Sequence, residues 1–520
     1  MVKRISQCIR KNFFLMTSIA LLILTFYVSY SRSVSFSFVD EFNNWVAGYY
    51  MIQGRMLYSE IFFNHQPLMP MVSAIIQYAV SPLTLYKVVV IHRIFIGMYL
   101  VFFGALTIWK LRYIGLGVVA FHIATMFYTF GNLFLAEALL VYPSAILFAG
   151  MWDSMVHNTP LKYHDYLLYG TCVLLFLLSR EPYIPPALIM YGIIMRDVWR
   201  TREGILSLSM IFFIVVLILT LFPWKSYVFS MTSLNMTGIV SGEIKQNGSL
   251  WMSVVKSFFY PVYIVFSGKV TYVRLIQVVV VGVILFVSTA LVAIQKYRRV
   301  LILSFLVLGL LAVRVVVPGT AFYEAYRQLP WYGAIFTFAL IGLREYRKNN
   351  RKTRILFPIL LLMFGVCYLN PQSFLYAQVE KENEFTTHYL DYVQKGELIH
   401  ALSQQTDTVF VHGWGSLTYL VAQRPSAYDY VFDYPVTDSI SLFSLAKERM
   451  YAQFQPSFVD AGWCSPTKDA KALFPHDVWK QYGYVTQHNT DMCLFVNKNV
   501  MSRKSVQEML QKMGYAYKEL

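Results

Sequence analysis

Apolar runs of about 20 residues recur through residues 1–371 of this 520-residue chain. An α-helix needs about 20 consecutive apolar residues to cross the hydrocarbon core of a bilayer. Charged residues make up only 14% of the chain, whereas soluble domains carry about 25%. These features predict a polytopic α-helical membrane protein that exposes much of its surface to lipid.

The net charge of +16 does not indicate a nucleic-acid partner. The basic residues occur in short clusters between the apolar runs, such as Lys110 with Arg112, and six Lys or Arg in residues 344–354. Loops rich in Lys and Arg stay on the cytoplasmic side of a membrane protein. The clusters therefore predict which ends of the spans face the cytoplasm, and they place the N-terminus there.

The basic clusters fit about eleven spans and an alternating topology. Residues 32–86 then form an outer loop, residues 1–371 a transmembrane domain, and residues 372–520 an extracytoplasmic domain. The predicted spans cover about 13–31, 87–109, 114–131, 137–153, 164–179, 183–195, 206–223, 272–294, 300–317, 331–343 and 355–371.

Residues 372–520 have the polarity of a soluble domain. Short β-rich runs at 408–412, 457–461 and 492–497 predict buried strands, and helical periodicity returns at 439–454. The sequence therefore predicts a small C-terminal α/β domain. Two of its cysteines, Cys464 and Cys493, are able to pair if the domain is extracytoplasmic.

The outer loop carries an adjacent pair of carboxylates, Asp40 and Glu41. They open a segment with helical spacing of apolar residues that ends near Gly54, which predicts an amphipathic helix on the membrane surface. An Asp at the N-cap followed by Glu in the first turn is also ordinary helix-start chemistry. A carboxylate in a partly apolar pocket can instead serve as a general base.

Further polar residues lie at the predicted outer ends of the spans. An intramembrane carboxylate indicates function, although Glu137 also fits a simple helix cap. Arginine is well suited to binding phosphate. Three arginines lie at the predicted outer ends of spans, where the positive-inside rule makes basic residues uncommon: Arg93, Arg180 and Arg327. Snorkelling to headgroups is the alternative for Arg93, and a turn role is the alternative for His65 in Asn-His-Gln-Pro.

The order of these motifs resembles the GT-C membrane glycosyltransferases, in the branch of the protein O-mannosyltransferases and the aminoarabinose–lipid A transferases. The resemblance rests on Asp-Glu after the first span, Gly54-x-x-x-Tyr58, Asn-His-x-Pro, an Arg early in the second span and a Glu at the start of the fourth. It covers about residues 13–160 by motif and the remainder by architecture.

The resemblance implies an enzyme of the plasma (inner) membrane that moves a sugar from a polyprenyl-phosphate donor to an acceptor hydroxyl, with inversion. Asp40 matches the first-loop catalytic acid of the family, Glu41 its partner and Glu137 the second-loop acidic residue. The acceptor stays open between a glycan, a lipid and a protein.

The chemistry of such a transfer requires a base, cations for the leaving phosphate and aromatic rings for the sugar. Asp40, the three arginines, and Trp45 or Tyr58 are the candidates, with His65 as a further substrate contact. A divalent metal stays open, because Asp40, Glu137 and His65 offer oxygen and nitrogen ligands.

Two non-enzymatic interpretations compete with this one. A flippase or transporter of lipid-linked glycans predicts charged residues in the middle of spans and paired half-helices. Most polar residues here lie at the outer ends, with Arg314 as the main exception. A non-catalytic membrane scaffold is the other alternative.

Overall fold

The computed structural model describes residues 2–127, 129–158, 160–196, 201–240, 295–312, 325–349, 381–434, 440–462, 473–475, 477–487 and 490–520, with a few single residues elsewhere. The predicted spans at 272–294 and 355–371 fall outside these ranges, as do Arg314 and Cys464. The described part is mostly helical, with a small C-terminal sheet.

Ten α-helices occupy the described residues up to Phe229. They are α1 Val2–Ser31, α2 Val39–Ile52, α3 Leu68–Val80, α4 Leu85–Leu111, α5 Tyr113–Thr125, α6 Ala136–Val156, α7 Tyr163–Ser179, α8 Ile184–Ile194, α9 Arg202–Thr220 and α10 Trp224–Phe229. Among the described residues, four helices are long and apolar enough to cross a membrane: residues Asn12–Ser31 of α1, together with α4, α6 and α9. Helices able to span a membrane are therefore confirmed, and the number eleven stays a prediction.

Helix α6 lies at the centre of the bundle. It is apolar on every face, which is the pattern of a buried helix, and its residues from Ala136 to Trp152 are all buried. It packs along α12 (Leu329–Asn349), which follows α11 (Gln295–Ala312). At Gly333 an added Cβ would lie 2.0 Å from the carbonyl oxygen of Val141. Glycine is therefore required for the two helices to approach so closely.

The C-terminal part begins with the long helix α13 (Lys381–Leu402) and contains a five-stranded sheet of order β1-β2-β4-β3-β5. Strands β1 and β2 are parallel, and the other neighbours are antiparallel. The strands are β1 Val409–Val411, β2 Phe458–Asp460, β3 Tyr482–Gln487, β4 Thr490–Asn497 and β5 Tyr515–Glu519, and the helices among them are α14 Thr418–Ala422, α15 Ser441–Gln453, α16 Lys498–Met501 and α17 Lys504–Lys512.

The three predicted strands are confirmed as β1, β2 and β4, and the helical periodicity at 439–454 corresponds to α15. The sequence analysis missed β3 and β5. Strand β5 lies at the edge of the sheet and is mostly exposed, so it lacks the apolar alternation that reveals a strand.

The C-terminal domain packs directly on the segment that follows α2. The amide of Phe62 donates to the carbonyl of Tyr430 over 2.8 Å, and Arg55 donates to the carbonyl of Ser426 over 2.9 Å. These contacts place the Asp-Glu loop and the C-terminal domain at the same end of the helical bundle.

The topology can be tested by labelling introduced cysteines with a membrane-impermeant reagent. We expect a cysteine at Asn383, an exposed position of α13, to be labelled in intact cells, and one at Asn349, at the end of α12, to be labelled only after permeabilisation. The wild-type chain controls for its own cysteines. The reverse pattern would contradict the predicted topology and place Asp40 in the cytoplasm.

Candidate active site

Asp40 is the second residue of α2 and is partly buried. The N-cap of α2 is Phe38, which makes no side-chain capping bond. The interpretation of Asp40 as a helix cap is therefore wrong. Its Oδ2 instead accepts a hydrogen bond of 2.6 Å from the hydroxyl of Tyr326, which stands nearly three hundred residues away in the chain.

Positive charge around Asp40 keeps its carboxyl group ionised. Burial alone would raise the pKa of Asp40, but the charge of Arg180, the hydrogen bond from Tyr326, and the charges of Arg327 and His65 together hold the pKa below its usual value. Asp40 is consequently a carboxylate at neutral pH, the form that can accept a proton.

Arg180 connects Asp40 with Glu137. It is the C-cap of α7, it is buried, and its Nε lies 3.2 Å from Oε1 of the fully buried Glu137. Its charge also acts on Asp40, Glu181 and Tyr326. Among the described residues, its buried Nη1 has no hydrogen-bond partner. A buried guanidinium nitrogen of this kind is costly to leave unpaired, so the arrangement suits an anion.

Arg327 also contacts Tyr326. Its Nε donates to the Tyr326 hydroxyl over 3.1 Å, and its guanidinium lies 5.6 Å from the centre of the same ring. The carbonyl of Arg327 accepts a hydrogen bond of 2.6 Å from Tyr183. The turn before α8 and the segment before α12 are thereby fixed to each other beside Asp40.

The structure places Arg93 away from this group. Arg93 and Glu41 form a two-pronged ion pair of 3.0 Å and 2.5 Å, with both side chains fully buried. The Nη1 of Arg93 donates to the carbonyl of Ser35, and its Nη2 donates to the carbonyl of Phe36 as well as to Glu41. No donor of Arg93 is left for a phosphate, so the predicted phosphate contact at Arg93 is corrected to a structural one.

Glu41 is equally occupied. Its Oε1 also accepts a hydrogen bond of 2.6 Å from the amide of Phe134, in the loop before α6. The carboxylate thus joins α2, α4 and that loop. We therefore interpret Glu41 as a residue that positions α2, and with it Asp40, without contacting substrate.

Trp45 and Tyr58, the predicted sugar contacts, are both buried. Trp45 lies on the face of α2 that packs into the core, with ring centres 5.8 Å from those of Phe42 and His92. The Tyr58 hydroxyl donates to the carbonyl of His65 over 2.8 Å, and this bond shapes the outer loop. Neither ring presents a face to a ligand, so both predictions are corrected to packing roles.

The predicted surface helix α2 is also less exposed than expected. It packs closely on α3: an added Cβ at Gly48 would lie 2.7 Å from Oγ of Ser73. Its predicted end is confirmed, because Gly54 follows it with a φ of +90° that favours glycine.

His65 lies with its Nδ1 3.9 Å from Oε2 of Glu181, in the turn between α7 and α8. Burial alone would raise the pKa of Glu181, but the nearby His65 and the charge of Arg180 lower it. His65 also contributes to the positive potential at Asp40. His65 therefore belongs to the Asp40 site.

The three residues considered as metal ligands have protein partners. Glu137 pairs with Arg180, Asp40 with Tyr326 and His65 with Glu181. Within the described ranges, no group of three or more His, Cys, Asp or Glu is arranged to hold a metal. In this arrangement these three residues do not form a metal site.

Tyr326, Glu181 and Tyr434 also belong to the site, although they were not predicted from the sequence. Tyr326 directly precedes Arg327, and Glu181 directly follows Arg180. Their position next to the two outer arginines could therefore have identified them as candidate site residues. Tyr434 comes from the C-terminal domain and donates to Oδ1 of Asn43, one turn after Asp40. No local pattern indicates that contact.

Comparison of the chain with models of known protein families and with curated proteins finds no match.

Proposed function

We propose that the protein is an integral membrane glycosyltransferase that moves a sugar from a polyprenyl-phosphate donor to an acceptor hydroxyl at the outer membrane surface. One observation carries the proposal: an ionised, partly buried carboxylate, Asp40, lies among cations supplied by separate segments of the chain. Arg180 and Arg327 are the principal cations, and His65 adds to them when it is protonated.

The arrangement suits an inverting displacement. The acceptor hydroxyl attacks the anomeric carbon and gives its proton to Asp40, while the bond from that carbon to the phosphate oxygen breaks. The lipid phosphate leaves with the electron pair of that bond. Arg180 and Arg327 stabilise its negative charge, and electrostatic stabilisation of this kind is a large part of catalysis. Phosphate is already a good leaving group, so no strong general acid is required.

The position of the site also suits a lipid-linked donor. A polyprenyl chain stays in the bilayer, so its phosphate can react only near the membrane surface. Glu41, the neighbour of Asp40, pairs with Arg93 of α4 and accepts from the loop before α6, and α4 and α6 are two of the helices long enough to cross a membrane. Cys493 is disulfide-bonded, which supports an extracytoplasmic C-terminal domain.

The proposal can be tested with membranes that contain the protein and a panel of radiolabelled polyprenyl-phosphate sugars. We expect one donor to be consumed, with polyprenyl phosphate released and the sugar transferred. If no donor is cleaved, the transferase proposal fails. Movement of the lipid-linked sugar across the bilayer without cleavage would favour the transporter instead.

Arg327→Ala should impair the use of the donor more than that of the acceptor. A hydrogen bond to a charged group contributes roughly 1.5–3 kcal/mol, so we expect the KM for the donor to rise about 10-fold or more. The acceptor KM should change little. The exposed Arg449, which pairs loosely with Asp429 over 3.8 Å, provides a matched control as Arg449→Ala. Equal effects on both substrates would contradict a phosphate role for Arg327.

A further inference from the structure

A polar cluster lies at the carboxyl end of β1, in the C-terminal domain. Nδ1 of His412 donates to Oδ2 of Asp433 over 2.6 Å, and Nζ of Lys447 lies 2.8 Å from Oδ1 of the same carboxylate. The Asp433 side chain is only 1% exposed, whereas His412 and Lys447 are partly exposed. The buried carboxylate thus holds two cationic or hydrogen-bonding side chains in fixed positions at the surface.

Trp414 stands beside this cluster and is 49% exposed. Its ring is stacked on that of Tyr434, with centres 4.5 Å apart and planes 23° apart. Gly413, which separates His412 from Trp414 in the sequence, has a φ of +77° and turns the chain after β1. A large aromatic ring is therefore fixed by stacking while about half of its surface stays open to solvent.

Tyr434 connects this aromatic surface to the candidate active site. It is buried, and its hydroxyl donates to Asn43. Residues three apart on a helix lie on the same face, so Asn43 stands next to Asp40. The negative charge of Asp40 is close enough to raise the pKa of Tyr434, in addition to the larger effect of burial.

The donor and acceptor sides of the site consequently come from different parts of the chain. The cations suited to the lipid phosphate belong to the helical bundle, at the end of α7 and before α12. Trp414, His412 and Lys447 belong to the C-terminal domain, which is of ordinary polarity. A lipid acceptor needs an apolar path from the bilayer, and this polar cluster does not offer one.

We propose that Trp414, His412 and Lys447 bind a sugar ring of the acceptor, so that the acceptor is a glycan. The apolar C–H face of a pyranose packs well on the negative face of an aromatic ring, and His412 and Lys447 donate to its hydroxyl or carboxylate groups. This assignment rests on the proposed function, because it makes the bound glycan the substrate whose hydroxyl meets Asp40.

The test is glycan binding by the purified full-length protein in detergent, without donor. The protein is applied to a broad glycan microarray, and the strongest saccharide is then titrated. We expect Trp414→Ala to weaken binding about 10-fold or more, as expected for a central aromatic anchor. Trp414→Phe, which keeps an aromatic face, should restore most of the affinity.

Phe454→Ala provides the matched control. Phe454 is an exposed aromatic residue of the same domain, 70% accessible, but it follows α15 near the amino end of β2. Because β1 and β2 are parallel neighbours, Phe454 lies at the opposite end of these strands from Trp414, and binding should be unchanged.

The proposal is overturned if the wild-type protein binds no glycan on the array, or if Trp414→Ala binds as well as the wild type. The proposal is also overturned if the enzyme transfers sugar only to lipid or protein acceptors and Trp414→Ala has the same KM for the acceptor as the wild type. Because binding is measured without donor, its failure is distinct from failure of donor cleavage, which would instead remove the transferase proposal.

Discussion

Asp40→Asn should lower turnover by about 10²–10⁴-fold, the usual contribution of a general base. Asparagine keeps nearly the same shape and can still accept the hydrogen bond of Tyr326, and Arg180 keeps its partner Glu137. The substitution therefore removes the proton acceptor and little else. Donor cleavage and transfer are measured at saturating substrate, together with the amount and thermal stability of the purified protein.

The exposed Asp429 serves as the matched control, and Asp429→Asn should leave turnover unchanged.

The pH profile gives an independent readout of Asp40. Its pKa is below the usual value of about 4, so the base stays ionised and the rate should fall only below about pH 4. In Tyr326→Phe the hydrogen bond that lowers this pKa is lost, and the acid limb should move to higher pH. Full activity of a normally expressed Asp40→Asn variant would remove Asp40 as the base.

Glu41→Gln should act on stability. The change leaves the guanidinium of Arg93 fully buried without a countercharge, and breaking a buried ion pair in this way costs about 3–5 kcal/mol. We expect a large fall in the yield and in the unfolding temperature of the detergent-purified protein. Arg93→Lys should be nearly as damaging, because an ammonium cannot donate in two parallel directions.

The exposed pair Lys504 and Glu508 provides the control. Glu508→Gln should have little effect, since an exposed ion pair contributes about 0–1 kcal/mol. The double variant Glu41→Leu with Arg93→Met should be more stable than Glu41→Gln but less stable than the wild type, because the carbonyls of Ser35 and Phe36 lose their donor. A Glu41→Gln variant that is stable but inactive would contradict this interpretation and support a catalytic role for Glu41.

Several features follow from local sequence. Long apolar runs form helices in any fold that hides the backbone from lipid, and α1, α4, α6 and α9 follow from them. The end of α2 at Gly54 and the buried strands β1, β2 and β4 also follow from short-range patterns. Asp40, Arg180 and Arg327 could be predicted as site residues because placing a charged residue at the end of a membrane span costs free energy unless it has a partner or a function.

The partners of those charges depend on contacts between distant segments, and only the tertiary structure decided them. Asp40 and Glu41 are neighbours with the same chemistry, yet Glu41 faces Arg93 inside the bundle and Asp40 faces Tyr326, Arg180 and Arg327 at its edge. Successive residues of a helix point about 100° apart. The packing of α2 on α3, together with the position of Arg93 in α4, therefore determined which carboxylate became a structural anchor and which joined the candidate site.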